Sequence, residues 1–444
     1  MNSLLLDSDA ERRADSAAYR KVTRRLIPFL IFCYMLAFID RINIGFAQLQ
    51  MKHDLSLSDT AYGLASSAFF IGYLLFEVPS NLLLQKIGAR KTLCRIMLCW
   101  GVISASTMFV HTPAQFLFVR FLLGVFEAGF APGILLYLTY WYPPERQGRA
   151  VGMFTTGTLI AGLIAGPISS SILVPLDGVY GLRGWQWLFL LEGLPSTLVG
   201  IAAFFYITDR PADAAWLSAG EKAVIERNNS ASLEKRSEAR SATRWYTVFR
   251  DPRAFILAFC LFTAQAGSYV IFFWMPQILK GFREVTISQV GFYTMIPYLA
   301  AMVTMILWGK RSDSKLERRW HFAIALFCAA GGFLMIVANP GSLAFTMIAF
   351  TISISAILAS IPVFWGAVFS ALSPAARVAG IALIASLGSL GGLFSPTLIG
   401  FVRDTTGKAD LGLYIVTALM TCGGAAMLWL LRTRRDGAAI QALT

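Results

Sequence analysis

Charge is what this sequence has least of. Asp, Glu, Lys and Arg make up 14% of its 444 residues, against roughly 25% in an ordinary soluble domain. Stretches such as 254–277 and 343–373 contain none of the four. A soluble globule of this length is thereby excluded. Histidine is scarcer still: His53, His111 and His321 are dispersed and offer no metal-ligand spacing. The six cysteines (Cys33, Cys94, Cys99, Cys260, Cys328, Cys422) sit in apolar context without a CxxC pair, so they read as small hydrophobes. Short alternating segments of the kind a membrane β-barrel needs are missing. No nucleophile, metal or phosphate-loop constellation stands out, so neither an enzyme nor a bound cofactor is expected.

What is abundant is apolar sequence, at 56% of residues and a mean hydropathy of +0.62. A bilayer core takes about 20 apolar residues per helical span, and such windows recur along the whole chain. They read as spans at 26–48, 61–84, 93–111, 114–140, 150–174, 186–207, 254–277, 288–308, 320–338, 343–370, 378–401 and 411–431. The expected fold is therefore an all-α membrane protein of twelve transmembrane helices. The net charge of +13 does not point to nucleic acid. Lys52, Arg183, Lys280, Arg283, Arg403 and Lys408 fall on one side of the membrane, and Arg41 and Arg120 fall within spans. Every other basic residue falls on the opposite side, which the positive-inside rule makes cytoplasmic. Both termini are then cytoplasmic. The polar, charged residues 1–25 form an N-terminal tail with no cleavable signal peptide.

The hydrophilic segment 208–253 divides the spans six and six. It reads as a cytoplasmic linker between a bundle over 26–207 and a bundle over 254–431, with a tail at 432–444. About 45 residues bury too little surface to fold alone. The linker holds an amphipathic stretch around Trp216 to Arg227 and a charged, Ser-rich run to Arg244. The halves look duplicated. Arg149-Ala-Val-Gly152 recurs as Arg377-Val-Ala-Gly380, and a Gly-rich helix ending in Pro167 or Pro396 follows each copy. Six-helix halves related by an axis along the membrane normal characterise one large transporter class. The glycines of the fifth and eleventh spans suit close packing or bending during gating, and the two can hold together.

Four charges lie inside the membrane. Asp40 and Arg41 stand near the middle of the first span. Arg120 and Glu127 stand seven residues apart on the fourth, almost two turns, and so share a face with Gly124 and Ala131. A charge at a helix centre costs about 2.5–3.5 kcal/mol on insertion scales. The bland reading is two ion pairs, Asp40 with Arg120 and Glu127 with Arg41, that clip helices together. The functional reading has the carboxylates exchange protons while the guanidiniums hold an anion, whose carboxylate suits Arg's planar fork. The C-terminal half has no ionisable group well inside a span. It offers aromatics and hydroxyls instead, among them Tyr269, Trp365, Ser386 and Ser389. Glu77, toward the cytoplasmic end of the second span, reads as a gate or capping residue. Glu192, in the sixth span after Trp185 and Trp187, has no assigned role.

The loop QKIGARKT after the second span resembles a degenerate form of the major facilitator superfamily's loop motif, with Gln85 where an Asp is usual. Gly309 to Asp313 resembles its second copy. FIDRINIG, EVPSNLLLQKIGAR, RFLLGVFEAGFAPG, YWYPPERQGRA, RGWQWLFLLEGLP and DRPADAAWLS are similar to segments of bacterial tartrate, 4-hydroxyphenylacetate, phthalate and sugar-acid permeases of the anion:cation symporter family. The resemblance covers essentially the whole chain. It implies a major facilitator fold of two six-helix bundles and proton-coupled import of a small organic carboxylate across the bacterial inner membrane. It places proton coupling on Asp40 and Glu127, anion binding on Arg41 and Arg120, and pocket roles on Tyr73 and Trp365. Many relatives have Asn in the eleventh span where this chain has Ser386 and Ser389, a departure that bears on polyol recognition. The expected partners are the carboxylate, the proton as coupling ion and the lipid bilayer; the expected state is a monomer. A facilitator, an anion exchanger or a transporter-like sensor of the same fold stays open.

Overall fold

A computed structural model of the chain describes residues 2–229, 250–339, 341–372 and 377–441. Twelve helices are long and apolar enough to cross a membrane: Ala17–Asp54, Asp59–Ile87, Ala89–Phe109, Pro113–Trp141, Pro144–Leu173, Gly184–Tyr206, Pro252–Lys280, Ile287–Ser314, Arg319–Ala338, Leu343–Ala371, Gly380–Thr406 and Asp410–Leu430. They fall on the twelve expected spans. No strand occurs among the described residues. The helix of the first span starts at Asn2, well inside the expected tail, and that of the last continues to Gln441. Most of the linker's charged run lies outside the described residues, as do the side chains of Arg377, Val378 and Ala379 in the second tetrad. An even number of spans puts both termini at one end, here called the terminal end; the other is the far end.

The apolar surplus is spent on an outer belt. Leu75, Leu198, Phe205 and Leu307 are all more than 60% exposed, which only a lipid surround tolerates, since helices satisfy their own backbone groups and present apolar side chains outward. In the first bundle, spans three and six, two and four, and one and five pack together; in the second, nine and ten, nine and twelve, and seven and eleven do. The bundles meet where span two lies against eleven, five against eight, and one against seven. A two-fold axis that exchanges the halves turns the first of these contacts into the second, in keeping with duplication.

Those cross-bundle contacts tighten toward the far end. Gln48 and Tyr62 both donate to the Phe273 carbonyl, at 2.5 and 3.1 Å. Ser67 donates to the Leu393 carbonyl at 2.6 Å, and Thr397 lies 2.7 Å from the Ser67 hydroxyl. The Asp404 carboxylate accepts from the backbone N–H groups of Asp59 and Thr60 at 3.0 and 2.7 Å. It thus caps the first turn of span two from the opposite bundle, where helix N–H groups lack partners and favour an anion. The glycines of span five follow the same gradient. Gly166 packs against Gly291 and Thr294 of span eight, and Gly162 against Tyr298, whereas among the described residues nothing approaches Gly152 near the terminal end. Close packing is what these glycines provide here, and the halves part toward the terminal end.

Near the terminal end, Gln85 is not the residue that matters at the turn into span three. Asp209, beyond span six, accepts from Arg90 N–H at 2.8 Å and crowds Gly88, which has a φ of +88°. A carboxylate at this turn comes from the segment DRPADAAWLS. In the second half, Asp313 keeps its charge partner, Arg318.

Candidate functional site

The site forms where one helix is interrupted. The first span passes it unbroken, with Asn43 in helical conformation and hydrogen-bonded to the Ile39 carbonyl. The fourth runs from Pro113 to Glu127, opens at Ala128, and resumes at Phe130. Gly129 makes that opening possible: its φ is +86°, a region costly for residues with a Cβ. Glu127 thereby stands at a helix C-terminus, where exposed carbonyls favour a cation rather than an acid. The cation is Arg41, whose Nη2 donates to Glu127 Oε1. Arg41 is 16% exposed and Glu127 fully buried.

Phe69, on span two, holds both guanidiniums. That of Arg41 lies 5.1 Å from its ring centre and that of Arg120 5.3 Å, within cation–π range. The Arg41 guanidinium also reaches over Tyr73 at 5.5 Å and lies beside the Tyr269 phenol of span seven. Tyr269 in turn packs its ring edge on Phe70 at 4.6 Å. Arg120 is 1% exposed, and among the described residues none of its three guanidinium nitrogens has a hydrogen-bond partner.

Of the two ion pairs in the bland reading, one is present: Glu127 pairs with Arg41, but Asp40 does not hold Arg120. Asp40 turns into the first bundle, where Ser104 of span three and Asn43 both donate to its Oδ1, the latter at 3.2 Å. The face around Gly124 takes a neighbouring helix: the Phe69 carbonyl and Tyr73 N–H of span two fill it, and the helix break removes Ala131 from the same face.

Of the other expected residues, Ser386 and Ser389 stand one turn apart on span eleven, partly exposed, with the Ser389 hydroxyl donating to the Ser386 carbonyl at 2.8 Å. Ser389 is three residues from Gly392, which packs on the Phe70 ring, so this serine stripe faces the first bundle. Trp365 is not in that cluster. It packs near the terminal end of span ten, its ring at right angles to Phe364, in a separate apolar core with Leu257 and Phe322. Glu77 is partly buried, and its carbonyl accepts from the Asn81 side chain at 2.9 Å. Sequence reasoning missed Phe69, Asn43 and Ser104. Asn43 carried a signal, a polar residue one turn from Asp40; Phe69 and Ser104 carried none that separates them from packing residues.

A buried acid–guanidinium pair thus lies beside a second guanidinium in the first bundle, with Tyr269 of the second bundle against it. Residues 30–396 match the Major Facilitator Superfamily, and the chain belongs to it. It is 41% identical over 414 residues to a protein of Pseudomonas putida provisionally named the metabolite transport protein NicT, covering 93% of this chain and 94% of that one. It is 40% identical over 430 residues to a protein of Agrobacterium vitis provisionally named a tartrate transporter, covering 97% of this chain and 94% of that one. In fold it is similar to a bacterial homologue of the human lysosomal transporter Spinster in an inward-facing, occupied conformation, with a TM-score of 0.73 at 17% identity over 92% of this chain and 96% of that one. The protein is thus a multi-pass membrane transporter of organic substrates, not an enzyme.

Proposed function

We propose that the chain is a proton-coupled symporter that imports a small organic carboxylate by alternating access. The observation that carries this reading is the Arg120 guanidinium, buried with three unpartnered nitrogens next to the Arg41–Glu127 pair. A buried cation without an acceptor is costly, and an anionic substrate would relieve that cost. The substrate carboxylate would meet Arg120 and compete with Glu127 for Arg41. Protonation of Glu127 removes its claim on Arg41 and leaves both guanidiniums to the substrate. Release of substrate lets Arg41 return to the carboxylate, which gives up the proton. Asp40 would serve as a further proton-carrying group behind them. Tyr73, Tyr269, Ser386 and Ser389 would contact the neutral body of the substrate.

The terminal end is assigned to the cytoplasm by the distribution of Lys and Arg, and the membrane to the bacterial inner membrane. With the far end latched, this arrangement would be the inward-facing state. The name of the Agrobacterium vitis relative favours a dicarboxylate such as tartrate.

Purified protein in liposomes tests the reading. Tartrate, galactonate, phthalate and 4-hydroxyphenylacetate would be offered with and without an inward proton gradient. At least one should accumulate only with the gradient, and Glu127→Gln should lose that accumulation while keeping exchange across the membrane. Equal accumulation with the gradient collapsed would overturn proton coupling.

A further inference from the structure

On the side of span one away from Arg41, a second polar cluster is buried in the first bundle. Glu192 of span six is 6% exposed and Asp40 fully buried. The Asn43 amide stands between them. It donates to Asp40 Oδ1 at 3.2 Å and lies against the Glu192 carboxyl. Ser104 donates to the same Asp40 oxygen from span three, and Ser169 donates to Glu192 Oε1 at 2.9 Å from span five. The Asn43 and Ser104 donors are directed at Asp40 Oδ1, and that of Ser169 at Glu192 Oε1. Asp40 Oδ2, Glu192 Oε2 and Asn43 Oδ1 are buried acceptors with no donor.

Three buried acceptors in one cluster lack donors. A single acidic proton can answer two of them at once, because protonation turns one acceptor oxygen into a donor for another. Charge leads to the same place. Asp40 and Glu192 face one another across Asn43; from span four Glu127 and Arg120 both act on Asp40, Arg120 without a hydrogen bond, and Arg41 is engaged by Glu127. Ser104 and Ser169, from the other packed helices, are neutral. Two carboxylates so placed cannot both hold a negative charge at low cost.

We infer that Glu192 is a second proton-carrying group, coupled to Asp40 through Asn43, so that the two acids bind and release protons as a unit. The inference rests on the proton-coupled reading above and extends it to span six, which supplies none of the residues proposed to meet the substrate. Span six would then respond to the same protonation step that frees Arg41, and the pair would titrate together rather than as two independent groups.

The test is infrared difference spectroscopy of the carboxylic-acid C=O stretch on the full chain in lipid, paired with uptake against pH. Glu192→Gln keeps the shape and the Ser169 contact. It should remove one acid band from the wild-type spectrum at neutral pH, shift the band of Asp40, and move the pH midpoint of uptake toward acid, because Gln leaves no neighbouring charge to share a proton with. Ser169→Ala should leave the number of acid bands unchanged. Should the Gln variant fail to insert, labelling of wild type by a hydrophobic carbodiimide, which attacks protonated buried carboxyls, should modify Glu192 and fade as pH rises. No lost band, an unmoved uptake midpoint, or an unlabelled Glu192 would overturn the inference. A lost band with gradient-independent uptake in wild type would instead overturn proton coupling and leave the acid pair standing.

Discussion

The Arg41 guanidinium donates to Glu127 at the point where the fourth span breaks. In the proposed mechanism one group answers for two partners: Arg41 would hold Glu127 or a substrate carboxylate, and the proton on Glu127 would decide which. Arg120, on the same helix, has no such competitor.

That difference predicts unequal consequences. Arg120→Ala should weaken substrate binding about 10- to 100-fold, the loss of one or two charge-assisted hydrogen bonds, and Arg120→Lys should restore part of it, since an ammonium carries the charge without the fork. Thermal shift with tartrate and with the aromatic acids reads the change. Wild-type affinity in Arg120→Ala would remove this residue from the site.

The far-end latch is open to a population measurement. Asp404→Asn takes the anion from the first turn of span two, a loss of about 1 kcal/mol, and should raise the far-open fraction about fivefold. Spin-label distances between spans two and eleven report it. An unchanged distance distribution would show that the hydrogen bonds of Tyr62, Gln48 and Ser67 hold that end by themselves.

Gly124 is a packing site by the present geometry. Gly124→Ala would push span four off the Phe69 carbonyl and displace the ring that both guanidiniums share. A cost of about 1–3 kcal/mol is expected, seen as a lower melting temperature in detergent together with weaker substrate binding. A gain in binding would mean that the face is a pocket after all.

Outside the membrane, Glu317 precedes span nine. Burial works against its charge, but the N–H groups of Trp320 and His321 and the His321 ring outweigh it and hold the carboxyl below the usual glutamate range. A depressed folded value contributes stability that is present above the unfolded value, near 4.3, and lost as pH falls through the folded one. Glu317→Gln should therefore lower the melting temperature at neutral pH, by the equivalent of about 1 kcal/mol for a lost helix cap, and the difference from wild type should fade in acid. A pH-independent difference would place the effect in packing instead.

The sequence by itself determined the twelve spans and the identity of the membrane charges. Apolar windows of bilayer length and the high cost of a charge among them are local properties of the chain. The seven-residue spacing that puts Arg120 and Glu127 on one face is equally local. Only the tertiary structure decided who partners whom. Asp40 turns away from Arg120 because Ser104 and Asn43 meet it first, and Ser104 comes from a helix whose sequence does not announce its facing side. Gly129 opens the fourth span through a positive φ that a run of small residues does not reveal. Glu192 acquires a meaning only beside Asn43, since a lone acid in a helix has no fixed neighbour until the bundle closes around it.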